Sequence, residues 1–325
     1  MLYNIHHVTR FRYSAPIAES ITEIRMQPRA TEMQHCTYFR LTTRPTSHAN
    51  AFEDYLGNMI HQFNIPGVHN ELSIVAESEV QMSPAPKLPA TLHAADWERI
   101  DELSSQIDYW EMLNPSESTQ RTPSLDELAT EFDLRRREDP LSVLRQLNNT
   151  MYSTFAYDAQ STNVDSPIDH ALATRSGVCQ DYTHIMLALV RNYLRIPCRY
   201  VSGYLYHRRA DRSAAGATHA WLEVLLPDWG WVGFDPTNNV LAGDRHIVVG
   251  YGRDYFDVPP TRGTFRGNAS SELSVTVRVR QAEEPISEDD ADEQNQPAYI
   301  ATQQELQEQY NRTLLELMQM QQQQQ

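Results

Sequence analysis

The sequence predicts an α+β protein, with an antiparallel β-sandwich-like domain ahead of a mixed helical and β core. Three observations lead there. Before residue 82, apolar and polar residues alternate in short runs; between 179 and 194, apolar residues recur at helical spacing; after 198, short β-branched and aromatic runs return. These shifts divide the chain into a β-rich N-terminal domain (1–82), a connector with helical segments (83–135), a core (136–280) and an acidic, Gln-rich tail (281–325).

In the first domain, residues 3–13, 36–43, 59–65 and 72–80 read as strands, with Pro45, Gly57-Asn58 and Pro66-Gly67 turning the chain between them. His6 and His7 invite a metal reading, but neighbours on a strand point to opposite faces, so an ordinary structural reading is preferred. The Pro/Ala-rich SPAPKLPA (83–90) opens the connector. Ser124 is expected to cap one helix, and Asp139-Pro140 to start another with Leu141, Leu144, Leu147 and Met151 on one face. Ser166 and Pro167 read as N-cap and first residue of a short helix reaching Thr174. The chain then breaks at Arg175–Val178, and a helix over 179–194 lines up Tyr182, Ile185, Met186, Leu189, Val190 and Tyr193 as a buried stripe. Strands are expected at 199–206, 219–226, 230–234 and 273–280, with a polar loop over 207–218. Residues 281–297 are too acidic and polar for a packed core and are expected to be disordered. Residues 301–318 have helical spacing, with Leu306, Tyr310, Leu314 and Leu317 in register.

The formal net charge is -16 over 325 residues, and the tail's ten acidic residues against Arg312 alone account for nine of the excess negatives. The rest is mildly acidic, which argues against a nucleic-acid binder. The three cysteines, Cys36, Cys179 and Cys198, are too few and too widely spaced for a disulfide framework, and no zinc-site spacing occurs. No signal-peptide pattern opens the chain, and no apolar run is long enough to span a membrane. A cytoplasmic protein without membrane association is expected.

Cys179 carries the chemistry. At neutral pH only about 3% of an ordinary thiol is ionised. A helix N-terminus and a nearby imidazole both favour the thiolate, and Cys179 is placed at such a terminus. Its alternative is a small buried hydrophobe; Cys36 and Cys198 are assigned to packing. His219 opens a strand on which Ala220, Leu222, Val224 and Leu226 share the inward face, leaving His219, Trp221 and Glu223 on the other. Asp235 ends the next strand. If the two strands pair through the turn at 227–229, Asp235 lies near His219 and accepts its Nδ1–H.

Four segments, GVCQDYTHIM (177–186), CRYVSGYL (198–205), THAWLEVLLPDWGWVGFDPTNN (218–239) and GRDYFDVPPTRG (252–263), resemble the bacterial transglutaminase-like family. Residues 1–82 resemble the β-rich domain that precedes the core in that family. The resemblance implies a papain-like, transglutaminase-like core, with Cys179 as nucleophile, His219 as base and Asp235 as the acid orienting it. It also implies acyl transfer on carboxamides through a thioester, with a protein or peptide substrate bearing Gln or another amide and an amine or water as acceptor.

Other residues are read more openly. Asp181 in the first helical turn has a sufficient structural reason in the helix dipole. Gly177 is expected to let the backbone turn sharply and leave room for a substrate. Trp221 either walls a substrate channel or packs. Tyr204 and Tyr206 are candidates to present a hydroxyl to the oxyanion, against an ordinary packing role. Residues 252–263 are a candidate cover for the site. No cofactor and no obligatory metal are expected, since no EF-hand pattern occurs. A cysteine peptidase on the same triad and a non-catalytic peptide-binding module are the competing functions.

Overall fold

A computed structural model describes residues 1–282 and 299–301. The expectations for the tail, including its helix, lie outside the described residues except at residues 281–282 and 299–301. In chain order the strands of the first half are β1 (Leu2–Ile17), β2 (Glu19–Ile24), β3 (Gln34–Arg44), β4 (Asn50–Glu53), β5 (Met59–Ile65) and β6 (His69–Met82). The connector and first helical layer hold α1 (Asp96–Ser104), α2 (Trp110–Leu113), α3 (Pro123–Glu131), α4 (Pro140–Thr154), β7 (Ala156–Tyr157), α5 (Ile168–Thr174), β8 (Ser176–Gly177) and α6 (Cys179–Leu189). Then come β9 (Cys198–Leu205), β10 (His219–Leu226), β11 (Gly230–Asp235), β12 (Val240–Leu241), β13 (His246–Gly252), β14 (Thr261–Arg266), β15 (Ser271–Gln281) and β16 (Tyr299–Ala301).

The N-terminal domain is a sandwich of two sheets, ordered β16-β15-β1-β6-β3 and β14-β2-β5-β4. Ile24, Met26, Phe63 and Ile65 from one sheet meet Leu72, Ile74 and Ala76 from the other. This is the pairing that period-two alternation dictates, with one face of each sheet apolar. Two of its strands come from the far end of the chain. β14 pairs with β2, and β15 pairs with β1 over eleven residue pairs. Residues 261–280, expected in the core, instead complete the sandwich, because their partners are edge positions that strands 2–82 alone leave open.

The core is built on α6. Of the six residues predicted as its buried stripe, Tyr182, Ile185, Met186, Leu189 and Val190 are buried and Tyr193 is only partly so, while Thr183, His184, Leu187 and Ala188 are buried as well. α6 is therefore enclosed on every side, with α3, α4 and α5 around it and the sheet β12-β11-β10-β9-β13 against it. A π-helical turn at Val190–Leu194 ends it, and Arg195, at φ 54°, turns the chain out of the helix. Two helix caps differ from expectation. Thr122, not Ser124, caps α3, accepting from Leu125 N at 3.2 Å with Pro123 following at the first helical position. Pro167 rather than Ser166 is the N-cap of α5, and Ser166 Oγ accepts from Asn163 N.

Every residue of β10 is buried, because its two faces meet different partners. Ala220, Leu222, Val224 and Leu226 pack toward α6, as the alternation predicts. The other face of this sheet is covered by the N-terminal domain: Tyr204, Ile247 and Val249 pack against Tyr3, Ile5, Val80 and Met82. The edge strand β13 is satisfied across the same junction. Gln34 accepts from Val248 N and donates to Val248 O, both at 2.8 Å; Asn58 does the same with Tyr251, again at 2.8 Å. Two side-chain amides thus stand where a further strand would pair, leaving fewer edge groups exposed.

Candidate active site

Cys179 is the first residue of α6 and is half-buried. Two local features set it there. β8 pairs in parallel with the two-residue strand β7, which fixes the chain entering the helix. Asp181 then reaches back, its Oδ2 accepting from Val178 N at 2.8 Å and from Thr162 Oγ1 at 2.5 Å. One otherwise orphaned N–H is satisfied in this way, and a carboxylate stands in the first turn. Burial pushes the Asp181 carboxyl above its ordinary range. Gly177 has no left-handed backbone angle, contrary to the expected sharp turn. Its lack of a side chain makes room for Asp181 instead: a Cβ there would lie 2.7 Å from Asp181 Cβ and Oδ2.

His219 and Asp235 are fully buried, on the neighbouring strands β10 and β11, and His219 Nε2 lies 2.8 Å from Asp235 Oδ2. The expectation was a contact through Nδ1. The strand start instead turns Nε2 to the acid, and Nδ1 is the nitrogen left for the Cys179 thiol, which hydrogen-bonds this ring. Burial works against an imidazolium here, but the charge and hydrogen bond of Asp235, together with Cys179, outweigh it and raise the His219 pKa. Burial likewise opposes the Asp235 carboxylate, yet His219 and His246 hold it well below the usual carboxylate range. The backbone N–H groups of Thr237 and Asn238 donate to its Oδ1 at 3.1 and 3.2 Å, and Asn238 Nδ2 donates to Oδ2 at 2.8 Å.

The remaining candidates divide. Trp221 is fully buried, its ring stacked on His219 with centroids 6.0 Å apart and set edge-on to His246 at 5.2 Å. It supports the imidazoles from behind, packed with Val201, Val248 and Tyr251, and lines no channel. Tyr204 is not at the site. Its hydroxyl donates to Met26 O at 3.0 Å and accepts from His7 Nδ1 at 3.0 Å, inside the junction with the N-terminal domain. Alternation along β9 separates its faces but does not say which domain covers each. Tyr206 joins the same junction, 5.2 Å from Tyr3. The two histidines do diverge: His7 is buried beside Tyr204, while His6 lines a cavity of about 660 Å³ on the outer face of the sandwich, which shares no residue with the site.

Several residues escaped the sequence reading. His246, on β13, brings Nε2 to 3.2 Å from Asp235 Oδ2. Asn238, in the FDPTNN segment, ties the loop over 207–218 to the acid by accepting from the backbone N–H groups of Arg212 and Ser213. Tyr157 and Tyr200 stand near enough to Cys179 for its charge to add to the effect of burial in raising their hydroxyl pKa values. The segment at 252–263 packs beside α6, where Tyr255 N donates to His184 Nε2 at 3.2 Å and the Tyr255 ring meets Tyr200. The donor atoms of His219, Asp235 and His246 all lie within 4.8 Å of one another. They contact each other directly at 2.8 and 3.2 Å, the geometry of hydrogen bonds within a filled core.

Comparison with known proteins decides the family. Residues 3–81 match the bacterial transglutaminase-like N-terminal region, and residues 127–236 match the transglutaminase-like superfamily. A protein of Mycobacterium tuberculosis without assigned function is 35% identical over 294 residues, 85% of this chain and 92% of that one. The chain belongs to the transglutaminase-like superfamily, a family of cysteine-dependent acyltransferases and proteases. A protein-glutamine gamma-glutamyltransferase of Pseudomonas aeruginosa is 31% identical over 160 residues, 45% of this chain and 23% of that protein. Among solved structures, a protein from Cytophaga hutchinsonii superposes with a TM-score of 0.71 at 22% identity, covering 88% of this chain and 92% of that one. It shares the fold of this transglutaminase-like chain. Among the described residues no helix is long and apolar enough to cross a membrane.

Proposed function

We propose that this chain is a cysteine-dependent acyltransferase or hydrolase acting on carboxamides of protein or peptide substrates. The observation that carries the reading is Cys179 at the first position of α6, hydrogen-bonded to a His219 ring whose Nε2 is held by Asp235. In this reading Cys179 Sγ attacks the carboxamide carbon, and backbone N–H groups at the start of the helix face the developing oxyanion. His219, protonated by the thiol, gives that proton to the departing ammonia or amine, leaving a thioester on Cys179. Water or a second amine then attacks the thioester, His219 takes the incoming nucleophile's proton, and the thiol is released. Asp235 holds the ring and stabilises its charge. The polar, free thiol chemistry suits a reducing compartment such as the cytoplasm.

A cysteine peptidase uses the same steps with a backbone amide. The Cytophaga hutchinsonii protein, described as a candidate cysteine protease, favours keeping this second reading. Incubation with a glutamine-containing peptide and an amine probe separates the two. Ammonia release with probe incorporation or deamidation supports the carboxamide reading; new peptide termini support the peptidase. A Cys179→Ala protein that is folded and fully active overturns both.

A further inference from the structure

The acid of this site carries a second histidine that the three-residue scheme leaves unused. His246 is fully buried, and its Nε2 lies 3.2 Å from the same Oδ2 that His219 contacts. Its tautomer is fixed by its other nitrogen. Gly243 N lies 3.2 Å from His246 Nδ1, and a backbone N–H can only donate, so Nδ1 is the acceptor. A neutral imidazole with an accepting Nδ1 carries its proton on Nε2, which points it at Asp235. Burial, ahead of the opposing pull of Asp235, keeps the ring below its ordinary pKa and therefore neutral.

We infer that His246 is a positioning residue, a fixed neutral donor that divides the charge of Asp235 between two imidazoles and so sets how tightly His219 holds its proton. This rests on the acyl-transfer reading above. Oδ2 accepts from His219, His246 and Asn238 at 2.8, 3.2 and 2.8 Å. Each donor lowers the basicity of the carboxylate and limits what it can give to the His219 imidazolium. An imidazolium held too strongly returns its proton reluctantly to the leaving amine. The other charged or titratable groups facing this cluster are accounted for. Arg245 is neutralised by two hydrogen bonds to Asp211, at 2.5 and 2.9 Å. His207, with its ring 6.4 Å from that of His219, is held at about 4 by burial and by His219, and is neutral. Cys179 faces His219 from the far side.

His246→Gln and His246→Asn test the inference. The glutamine amide reaches where Nε2 stands; the asparagine amide reaches only as far as Nδ1. The rate of Cys179 alkylation by iodoacetamide is measured against pH, with thermal denaturation as a check of folding. In the wild type, an alkaline step marks the loss of the His219 proton. In His246→Asn this step moves up by roughly one pH unit, and the rate of ammonia release from a glutamine peptide falls roughly 10- to 100-fold. In His246→Gln both stay close to wild type. A wild-type step with an unshifted His246→Asn profile overturns the inference alone. Equal losses in both variants, with unshifted profiles, assign His246 to packing and also overturn it. A wild type whose Cys179 alkylates along the single wave of an isolated thiol overturns the acyl-transfer reading as well.

Discussion

A Cβ on Gly177 would stand 2.7 Å from Oδ2 of Asp181, the atom that caps Val178 and accepts from Thr162. Gly177→Ala therefore forces Asp181 off the N-terminus of α6 or shifts the backbone next to Cys179. The expected result is a loss of about 1–3 kcal/mol in stability, with slower alkylation of Cys179. Urea denaturation and iodoacetamide kinetics read the two effects. An alanine protein as stable and as reactive as wild type would show that Asp181 moves aside without cost.

Asp235→Asn keeps the size of the side chain but removes the charge that His219 and His246 share. Under the proposed mechanism, turnover falls by roughly 10³- to 10⁴-fold with residual activity remaining, because the nucleophile and the helix terminus are intact. Cys179→Ala, by contrast, abolishes turnover. Ammonia release by the two purified variants distinguishes orientation from nucleophilic attack; equal, complete loss in both would give Asp235 a more direct part.

The same pair governs stability against pH. Asp235 and Cys179, working against burial, raise His219 to about 10 in the folded chain, above the ordinary value of 6.5 expected when unfolded. The folded state thus holds a proton that the unfolded state releases between those values. The stabilisation is fully present below about pH 6.5 and is lost as pH rises toward about 10. Unfolding free energy measured across this window should fall with increasing pH, and Asp235→Asn should flatten the slope. An equally steep slope in the variant would assign the pH dependence elsewhere.

How much of this was legible beforehand depends on the range of each interaction. The start of α6 at Cys179 and the division of β10 into an Ala220–Leu222–Val224–Leu226 face and a His219–Trp221–Glu223 face follow from local periodicity. The meeting of His219 and Asp235 needs only one hairpin. His246 pairs instead into β9, a strand more than forty residues back, and sits beside the acid only because β9 lies between β10 and β13. No local pattern announces that crossover. Nonlocal pairing also explains β14 and β15, whose partners are strands from the other end of the chain. The place of Trp221 is not legible in sequence, because a buried aromatic behind a site and one lining it have the same sequence appearance.

Tyr204 separates domain packing from chemistry. Its hydroxyl links Met26 O to His7 Nδ1, and Thr9 Oγ1 lies 3.2 Å from His7 Nε2. Burial holds His7 at about 3, so the ring is neutral and needs this hydroxyl as its acceptor. Tyr204→Phe leaves the His7 N–H and the Met26 carbonyl short of a partner and should cost about 1–3 kcal/mol. Because the hydroxyl lies in the domain junction, kcat on a glutamine peptide should stay within about twofold of wild type at a temperature where the variant is folded. A large fall in kcat without a fall in stability would return Tyr204 to the oxyanion.

The amide of Gln34 spans the same junction lower down, closing both backbone groups of Val248 on the edge of β13. Gln34→Leu keeps most of the side-chain volume but leaves the Val248 N–H and C=O in a buried environment with a smaller set of partners. A loss of about 1–3 kcal/mol is expected, since orphaning buried backbone groups costs more than the hydrogen bonds contribute. β13 also carries His246, so the loosening should reach the acid of the site. Hydrogen exchange would show faster exchange at Val248 and Tyr251, and the His219 proton should titrate less sharply than in wild type. Protection at Val248 equal to wild type would mean that β13 does not need the Gln34 amide, and that β9 and Asn58 hold this strand without it.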